Sequence, residues 1–468
     1  MEMVPSNLAP GRRSRRGSRV RVAAIAAGAV IGALTLAACS GGTSVGGNKD
    51  IADSGSKYGF KSAKQDSGAQ ITVWVDSTRQ PAAEAYNKAH PDSPVKIVTY
   101  DGNANGSNTF KTKFQLFDRA NSGWPDVVFT TDNNSASWGS FDGTGDLAAM
   151  NKGLIPDSTL NGFAKGALDP CTIDGTAYCL RNDLAQNVLW YNKKLMDKFG
   201  YDVPTTWEEY QALADKVATE HPGYIVGTAG DAWTPEIYMW AAECPANDVT
   251  GATSIKVDTS DPNCVKAAKM LDELVANKTM STLSLFGPEF AKSQGDKVLM
   301  LPGPSWYGGA VFQGTLKTPA GELAVGAPLH WGDSSEQVTG NVGGGAWWIS
   351  SHSKNLDAAA DFATWVTTND KFDGALVPGY PAYTQAATDW LKETAASGYY
   401  ANDIAAPIQE AAGQVWSGWG SPAFSQEAIW AKVVQAGMAQ GKTIESQLPA
   451  WQTEIENQAK TLGYEVSK

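Results

Sequence analysis

Two short polar stretches, Asp76-Ser77-Thr78-Arg79 and Thr130-Thr131-Asp132-Asn133, each follow a β-rich run. A carboxylate beside a guanidinium or an amide accepts and donates hydrogen bonds in one place. That is the chemistry of gripping a polar solute, not of breaking a bond. Signatures of bond breaking are missing: the chain has no His-Glu-x-x-His helix or P-loop, and its single Gly-x-Ser-x-Gly match, Gly42–Gly46, lies in a Gly/Ser-rich stretch and not between a predicted strand and a predicted helix. Its four histidines (His90, His221, His330, His352) are scattered and no Cys-x-x-Cys occurs, so neither a metal nor a cofactor is expected. Acids abound, Glu236 and Glu243 near Trp233 among them. A glycoside hydrolase needs two carboxyl groups at a set separation, however, and nothing in the sequence singles out such a pair. Tryptophan offers a second kind of chemistry, a flat face for stacking. Trp416 and Trp419 lie in the Gly-rich, non-periodic segment Val415–Pro422, where a core role explains them poorly. Trp233, in the loop Gly230–Pro235, fits a core or a binding role equally.

The elements that must hold these residues alternate. Gln70–Asp76 reads as an alternating strand, Pro81–His90 as a helix, Val95–Tyr100 as a second strand and Asp126–Phe129 as a third. Strands interleaved with helices predict α/β layers around a largely parallel sheet, with ligands beyond the carboxyl ends of the strands. Thr206-Trp207-Glu208-Glu209 has capping-box spacing ahead of the stripe Tyr210, Leu213, Ala214, Val217. A helix opening near Ser353–Asn355 should bury Ala358, Phe362, Trp365 and Val366. The spacing of Ile444, Leu448, Trp451, Ile455 and Ala459 predicts another, with a kink at Pro449.

Composition sets the compartment. Six arginines (Arg12, Arg13, Arg15, Arg16, Arg19, Arg21) precede an Ala/Gly-rich apolar run from Val22 to Ala38. The run falls short of the about 20 residues a membrane span needs, and its order is that of a secretory signal. It ends in Leu36-Ala37-Ala38-Cys39, which resembles the bacterial lipobox; by that resemblance residues 1–38 are removed and Cys39 carries lipid. Residues 39–69, rich in Gly, Ser, Lys and Asp, read as a flexible tether. The whole chain has a formal charge of -12, and its basic cluster lies in the leader, so nucleic acid is excluded as a partner. Beyond Cys39 four cysteines remain, an even number suited to an oxidising compartment. Of three pairings, Cys171–Cys179 is favoured, because a three-residue loop Asp174–Thr176 would set the two opposite each other in a hairpin. Cys244 and Cys264 then pair across a polar loop, and each bridge contributes about 2.5–3.5 kcal/mol.

Five stretches in order resemble the extracellular solute-binding proteins of bacterial ABC importers, the group that includes maltose-binding protein. They are Ile71-Thr72-Val73-Trp74; Gly123-Trp124-Pro125-Asp126-Val127-Val128; Asp174–Tyr178 through Leu189-Trp190-Tyr191-Asn192-Lys193 to Val203-Pro204-Thr205-Thr206-Trp207-Glu208; Val298–Met300 with Gly303-Pro304-Ser305-Trp306; and Gly343–Ile349 followed by Ser353-Lys354-Asn355. The resemblance implies a two-lobed α/β fold of type II, with ligand held in a cleft between lobes joined by crossing strands. Lobe one would take residues 70–184 and 327–370, lobe two 185–326 and 371–468, with the first crossing near Leu184–Leu189.

The resemblance also implies a binding protein, not an enzyme. It would be a monomer, tethered by lipid to the outer face of the cytoplasmic membrane, handing a carbohydrate to ABC permease subunits. A non-sugar solute (a peptide, a polyamine or another cation) is the alternative. A sugar needs aromatic platforms and groups that both donate and accept; the 17 tryptophans fit the first need. The expected ligand residues are Asp76, Arg79, Asp132, Asn133 and Asp183 for hydrogen bonds, Asp183 sitting beside Asn182 just before the crossing. Trp233, Trp306, Tyr307, Trp416 and Trp419 are expected to stack, and Gly343 and Gly344 to let backbone approach the ligand. Several stacked rings would suit an oligosaccharide.

Overall fold

The computed structural model describes residues 58–100, 109–141, 146–369 and 379–468. Cys39, the leader and residues 39–57 of the expected tether lie outside the described residues.

The first part of the chain runs strand β1 (Thr72–Val75), helix α1 (Gln80–Ala89), β2 (Lys96–Thr99), α2 (Thr109–Ala120), β3 (Val127–Thr130), α3 (Ser135–Phe141) and the short β4 (Leu180–Arg181). β5 (Asn187–Asn192) then carries the chain to a second sheet. α4 (Trp207–Glu220), α5 (Thr234–Tyr238), α6 (Pro262–Ala276), β6 (Met300–Pro304) and β7 (Leu323–Gly326) follow. β8 (Ala346–Ile349) returns to the first sheet and leads into α7 (Leu356–Thr368); α8 (Gln426–Trp430) and α9 (Ile444–Thr461) come last.

The first sheet has the order β2-β1-β3-β8-β4. Its β1–β2 and β1–β3 pairs are parallel, as the α/β alternation requires. β8 pairs antiparallel with both β3 and β4, because it arrives from the far side of the molecule with no crossover helix to reverse it. The expected largely parallel sheet is thus a mixed one. The second sheet, β6-β5-β7, is antiparallel throughout. Between the sheets the backbone crosses at Asp183–Leu184, which pairs antiparallel with Tyr380–Pro381.

Local sequence explains most elements. Thr206 Oγ1 accepts from Glu209 N while the Glu209 carboxylate accepts from Thr206 N, so α4 opens on a true capping box. Trp207, Tyr210, Ala214 and Val217 are buried as their spacing requires. Asn355 caps α7 by accepting from Ala358 N, and Phe362 and Val366 enter the core with Val73, Val75, Phe129 and Trp347. α9 runs unbroken through Pro449, and all five stripe residues are buried.

Beyond the mixed sheet and the missing kink at Pro449, three further expectations differ. The Cys171–Cys179 disulfide forms, but its hairpin closes on two residues: Ile173 pairs with Thr176, and Asp174 and Gly175 both take positive φ. A two-residue turn of that hand matches strand twist. The segment bridged by Cys244–Cys264 is a β-hairpin, Asp248–Gly251 against Ser254–Lys256, and not a loop. Finally, residues 58–69 are no tether. Tyr58 is buried and donates to Asp357 Oδ1 at 2.8 Å. Ala63 N and Asp66 N donate to Ser351 O and Lys354 O, and Asn355 Nδ2 donates to Ser67 O and Ala69 O. Small polar residues carry no apolar period, yet their backbone groups can satisfy a loop end lying beside them.

Two stability predictions follow from this packing. A chain begun at Gln70 should unfold at lower denaturant than one begun before Tyr58, by about 2 kcal/mol or more, since burial of an aromatic side chain alone is worth about that much. Cys244→Ala with Cys264→Ala should cost about 3 kcal/mol in the same assay.

Candidate functional site

A cavity of about 470 Å³ opens where β1, β3 and the Gly343–Gly345 loop face segments of the second half. Its floor is organised by Arg181, which is buried on β4. Nη1 donates to Asn133 Oδ1 at 2.6 Å, and Nη2 donates to the carbonyls of Asp183 (3.3 Å) and Gly343 (3.0 Å). Burial lowers the Arg181 pKa to about 10 against the opposing pull of Asp183, so the guanidinium stays charged at neutral pH. Gly343, Gly344 and Gly345 all have positive φ. A Cβ on Gly344 would also collide with Arg181 Nη2 and Asp183 O. Glycine is therefore required at 344 by the turn itself.

Asp76, Arg79 and Asp183 form one end of the cavity. Asp76 Oδ1 accepts from Arg79 N at 2.7 Å, closing the turn that leads into α1. The Arg79 guanidinium lies 3.4 Å from Asp76 Oδ2, 3.8 Å from Asp183 Oδ1 and 4.5 Å over the Phe129 ring. Asp183 is held by Asn182 Nδ2 at 2.7 Å. The same cavity is also lined by an aromatic cluster. Trp306, fixed by its Nε1 donating to Val342 O at 2.9 Å, lies nearly parallel to Phe286, with ring centroids 6.2 Å apart at 16°. Trp233 meets Trp306 edge-on at 6.3 Å.

Eight of the residues expected to face a ligand thus line one cavity: Asp76, Arg79, Asp132, Asp183, Trp233, Trp306, Gly343 and Gly344. Four do not. Tyr307 is wholly buried behind Trp233, accepting its indole N–H at 2.8 Å. Asn133 spends its carbonyl on Arg181. Trp419 is buried against Trp240, stacked at 5.5 Å and 14°, and borders only a small neighbouring recess. Trp416 is outside the lining of both and gives its backbone carbonyl to Trp240 Nε1. Position in a Gly-rich segment does not distinguish a ring facing a cleft from one wedged under a loop. Conversely, Phe286 (49% exposed) and Glu427 line the cavity without having been singled out. A large apolar residue in the turn Leu285-Phe286-Gly287-Pro288 was the available signal; Glu427 looks like any acid in a first helical turn.

The recess shares Thr131, Asp132, Gly343 and Glu427 with the cavity and adds Asn134, Glu236 and Gln426. Burial raises the Asp132 carboxyl to about 7. Glu427 is pushed to about 8 by burial first, then by the charges of Asp132 and Asp231. Glu236 is raised by burial and by Glu427 and Asp132. Glu243 lines neither space. Elsewhere, Asp118, Asp146 and His352 converge, but Trp124 Nε1 donates to Asp118 and His352 Nε2 lies 2.9 Å from Asp146 Oδ1 under the stacked Trp124 ring.

Residues 68–371 match the family described as bacterial extracellular solute-binding protein. The chain belongs to that family. It is similar to the arabinooligosaccharide-binding protein of Halalkalibacterium halodurans, 22% identical over 62% of this chain and 64% of the relative, so the match spans somewhat under two thirds of that protein. Among solved structures, the galacto-N-biose-/lacto-N-biose I-binding protein of a Bifidobacterium longum ABC transporter, in complex with lacto-N-biose, superposes with TM-score 0.71 at 22% identity. That superposition covers 86% of this chain and all of that one. An ABC transporter-associated binding protein of B. animalis subsp. lactis, in complex with beta-1,6-galactobiose, gives TM-score 0.70 at 20% identity over 85% and 99%. This family member therefore has the two-lobed α/β type II fold.

The recess acids predict a pH effect on stability. Between about pH 4.5 and pH 8 the folded chain keeps protons on Glu427 and Asp132 that the unfolded chain has released, so raising pH through this window favours unfolding. Glu427→Gln should lose less stability than the wild type between pH 5 and pH 8 in paired denaturant melts; equal losses would contradict these protonation states.

Proposed function

We propose that this family member captures a short oligosaccharide in the cavity between its lobes and delivers it to an ABC permease, binding the sugar without transforming it. One observation carries the reading: an aromatic cluster (Trp306, Phe286, Trp233) and a hydrogen-bonding cluster (Asp76, Arg79, Asp183) line a single cavity. Sugar rings present apolar C–H faces that stack on the first and hydroxyls that bond to the second. About 470 Å³ is the size of small-molecule sites generally. Relatives named for arabinooligosaccharide, lacto-N-biose and beta-1,6-galactobiose support the same class of ligand.

In this reading lobe one is residues 70–184 and 327–370, extended upstream by residues 58–69, and lobe two is 185–326 and 371–468. Arg79 and Asp183 contribute from the first lobe, Trp233, Phe286 and Trp306 from the second. A sugar touching both has more contacts in the closed form than in the open one, and that differential affinity is what shifts the equilibrium toward closure. The permease would then read the closed shape. Lipidation at Cys39 would hold a monomeric protein on the outer face of the cytoplasmic membrane.

Titrating the protein with mono-, di- and trisaccharides, read by tryptophan fluorescence, should give saturable binding that strengthens from one ring to two. Trp306→Ala should weaken it at least tenfold, about 1.4 kcal/mol, and Trp416→Ala should leave it within twofold. No binding to any saccharide would overturn the proposal.

A further inference from the structure

The two ends of the cavity differ in how their charges are met. Asp76 and Asp183 have Arg79 between them, and Asp183 also accepts from Asn182. At the other end, the side-chain carboxyls of Asp132, Glu236 and Glu427 receive no hydrogen bond and no ion pair from any described residue; each residue borders the recess of about 50 Å³. Two further buried acceptors face the same space without a partner: Asn134 Oδ1, on a residue 7% exposed, and Gln426 Oε1, on one 5% exposed. Gln426 Nε2 donates to Asn247 Oδ1 at 2.8 Å, which fixes its carbonyl toward the unpartnered side. Glu236 Oε2 is likewise buried without a partner. Such atoms are costly unless something donates to them.

The unmet amide oxygens of Asn134 and Gln426 are acceptors, and Asp132, Glu236 and Glu427 offer only acceptors once their carboxyl protons leave. A hydroxyl supplies one proton, whereas an ammonium group supplies three, accepts none and brings the positive charge that ionised carboxylates need. The volume suits a small group: a single water needs about 10–15 Å³ of comparable space. A bare metal ion fits poorly. Among the described residues, the His/Cys/Asp/Glu set whose ligand atoms lie within 4.8 Å of one another is Asp118, Asp146 and His352, and these three acids are not part of it.

We propose that the solute is an amine-bearing saccharide whose protonated nitrogen sits in the recess among Asp132, Glu236 and Glu427, while its rings lie along Trp306 and Phe286. This rests on reading the larger cavity as a sugar site. Because burial keeps Asp132 and Glu427 protonated near neutrality, seating a cation there expels protons, through the same linkage that sets their pKa values. Asp231, which faces Glu427 electrostatically, adds to the negative potential. Arg79 is engaged at the opposite end.

The test is calorimetric titration at pH 7 with matched di- and trisaccharides in three forms: free hexosamine, N-acetylated and plain, with spermidine as an amine lacking sugar. The free-amine form should bind at least tenfold tighter than both counterparts. Its apparent enthalpy should vary with the ionisation enthalpy of the buffer, reporting proton release. Glu427→Gln and, as a second variant, Asp132→Asn should each reduce that preference to under threefold, with folding checked by thermal melts. Equal or tighter binding of the N-acetylated or plain forms would overturn this proposal and leave the sugar reading standing. Binding of spermidine but of no saccharide would overturn the sugar reading and leave a cation-accepting recess. Binding of none would overturn both.

Discussion

The buried guanidinium of Arg181 holds together the parts of the chain that make the cleft. Its bonds reach the loop after β3, the crossing at Asp183 and the glycine loop before β8. The farthest of them, Gly343, lies 162 positions from Arg181 in sequence. A buried charge is costly unless hydrogen bonds meet it; here Nη1 and Nη2 are met by three acceptors and Nε by none, so the three acceptors fix the loops as firmly as the loops fix the arginine. The positive-φ glycines follow from that closeness. At Gly344 a side chain would occupy the space the guanidinium needs.

From this floor the cavity divides into functions by charge and by shape. Arg79 offsets one of the two carboxylate charges of the near end and leans on Phe129, so a solute meets a preorganised hydrogen-bonding surface there. Trp306 and Phe286 offer a flat apolar wall, and Trp306 is kept upright by its bond to Val342 O. The far end has carboxyl groups without partners, and its proton affinities rise through desolvation and, at Glu236 and Glu427, through neighbouring carboxylates. One cavity thus combines stacking, ion-paired hydrogen-bonding groups and carboxyls without a cation.

Disulfides and caps keep the scaffold rigid around this cavity. Cys244–Cys264 ties the end of the α5 region to the first turn of α6, and Cys171–Cys179 closes the hairpin that leads into β4. Residues 58–69 finish the ends of two neighbouring loops with backbone hydrogen bonds, which is why a stretch of small polar residues is packed there.

The sequence by itself determined whatever depends on neighbours a few positions apart. Strand alternation, helical stripes, the Thr206–Glu209 capping box and the turn at Asp174-Gly175 are local, and so the α/β architecture and one disulfide were legible. Polar residues at strand ends were legible for the same reason, since strand direction sets where they emerge; Asp76, Arg79, Asp132 and Asp183 all reach the cavity. Tertiary structure alone decided which rings face the cleft. Trp419 and Tyr307 are covered by segments remote in sequence and half-buried Trp416 lies outside the cavity lining, while Phe286 is left bare on a turn. It also decided that Glu236 and Glu427, on helices 191 positions apart, share one recess with Asp132. Burial and electrostatic proximity are sums over the whole fold, and no local pattern carries them.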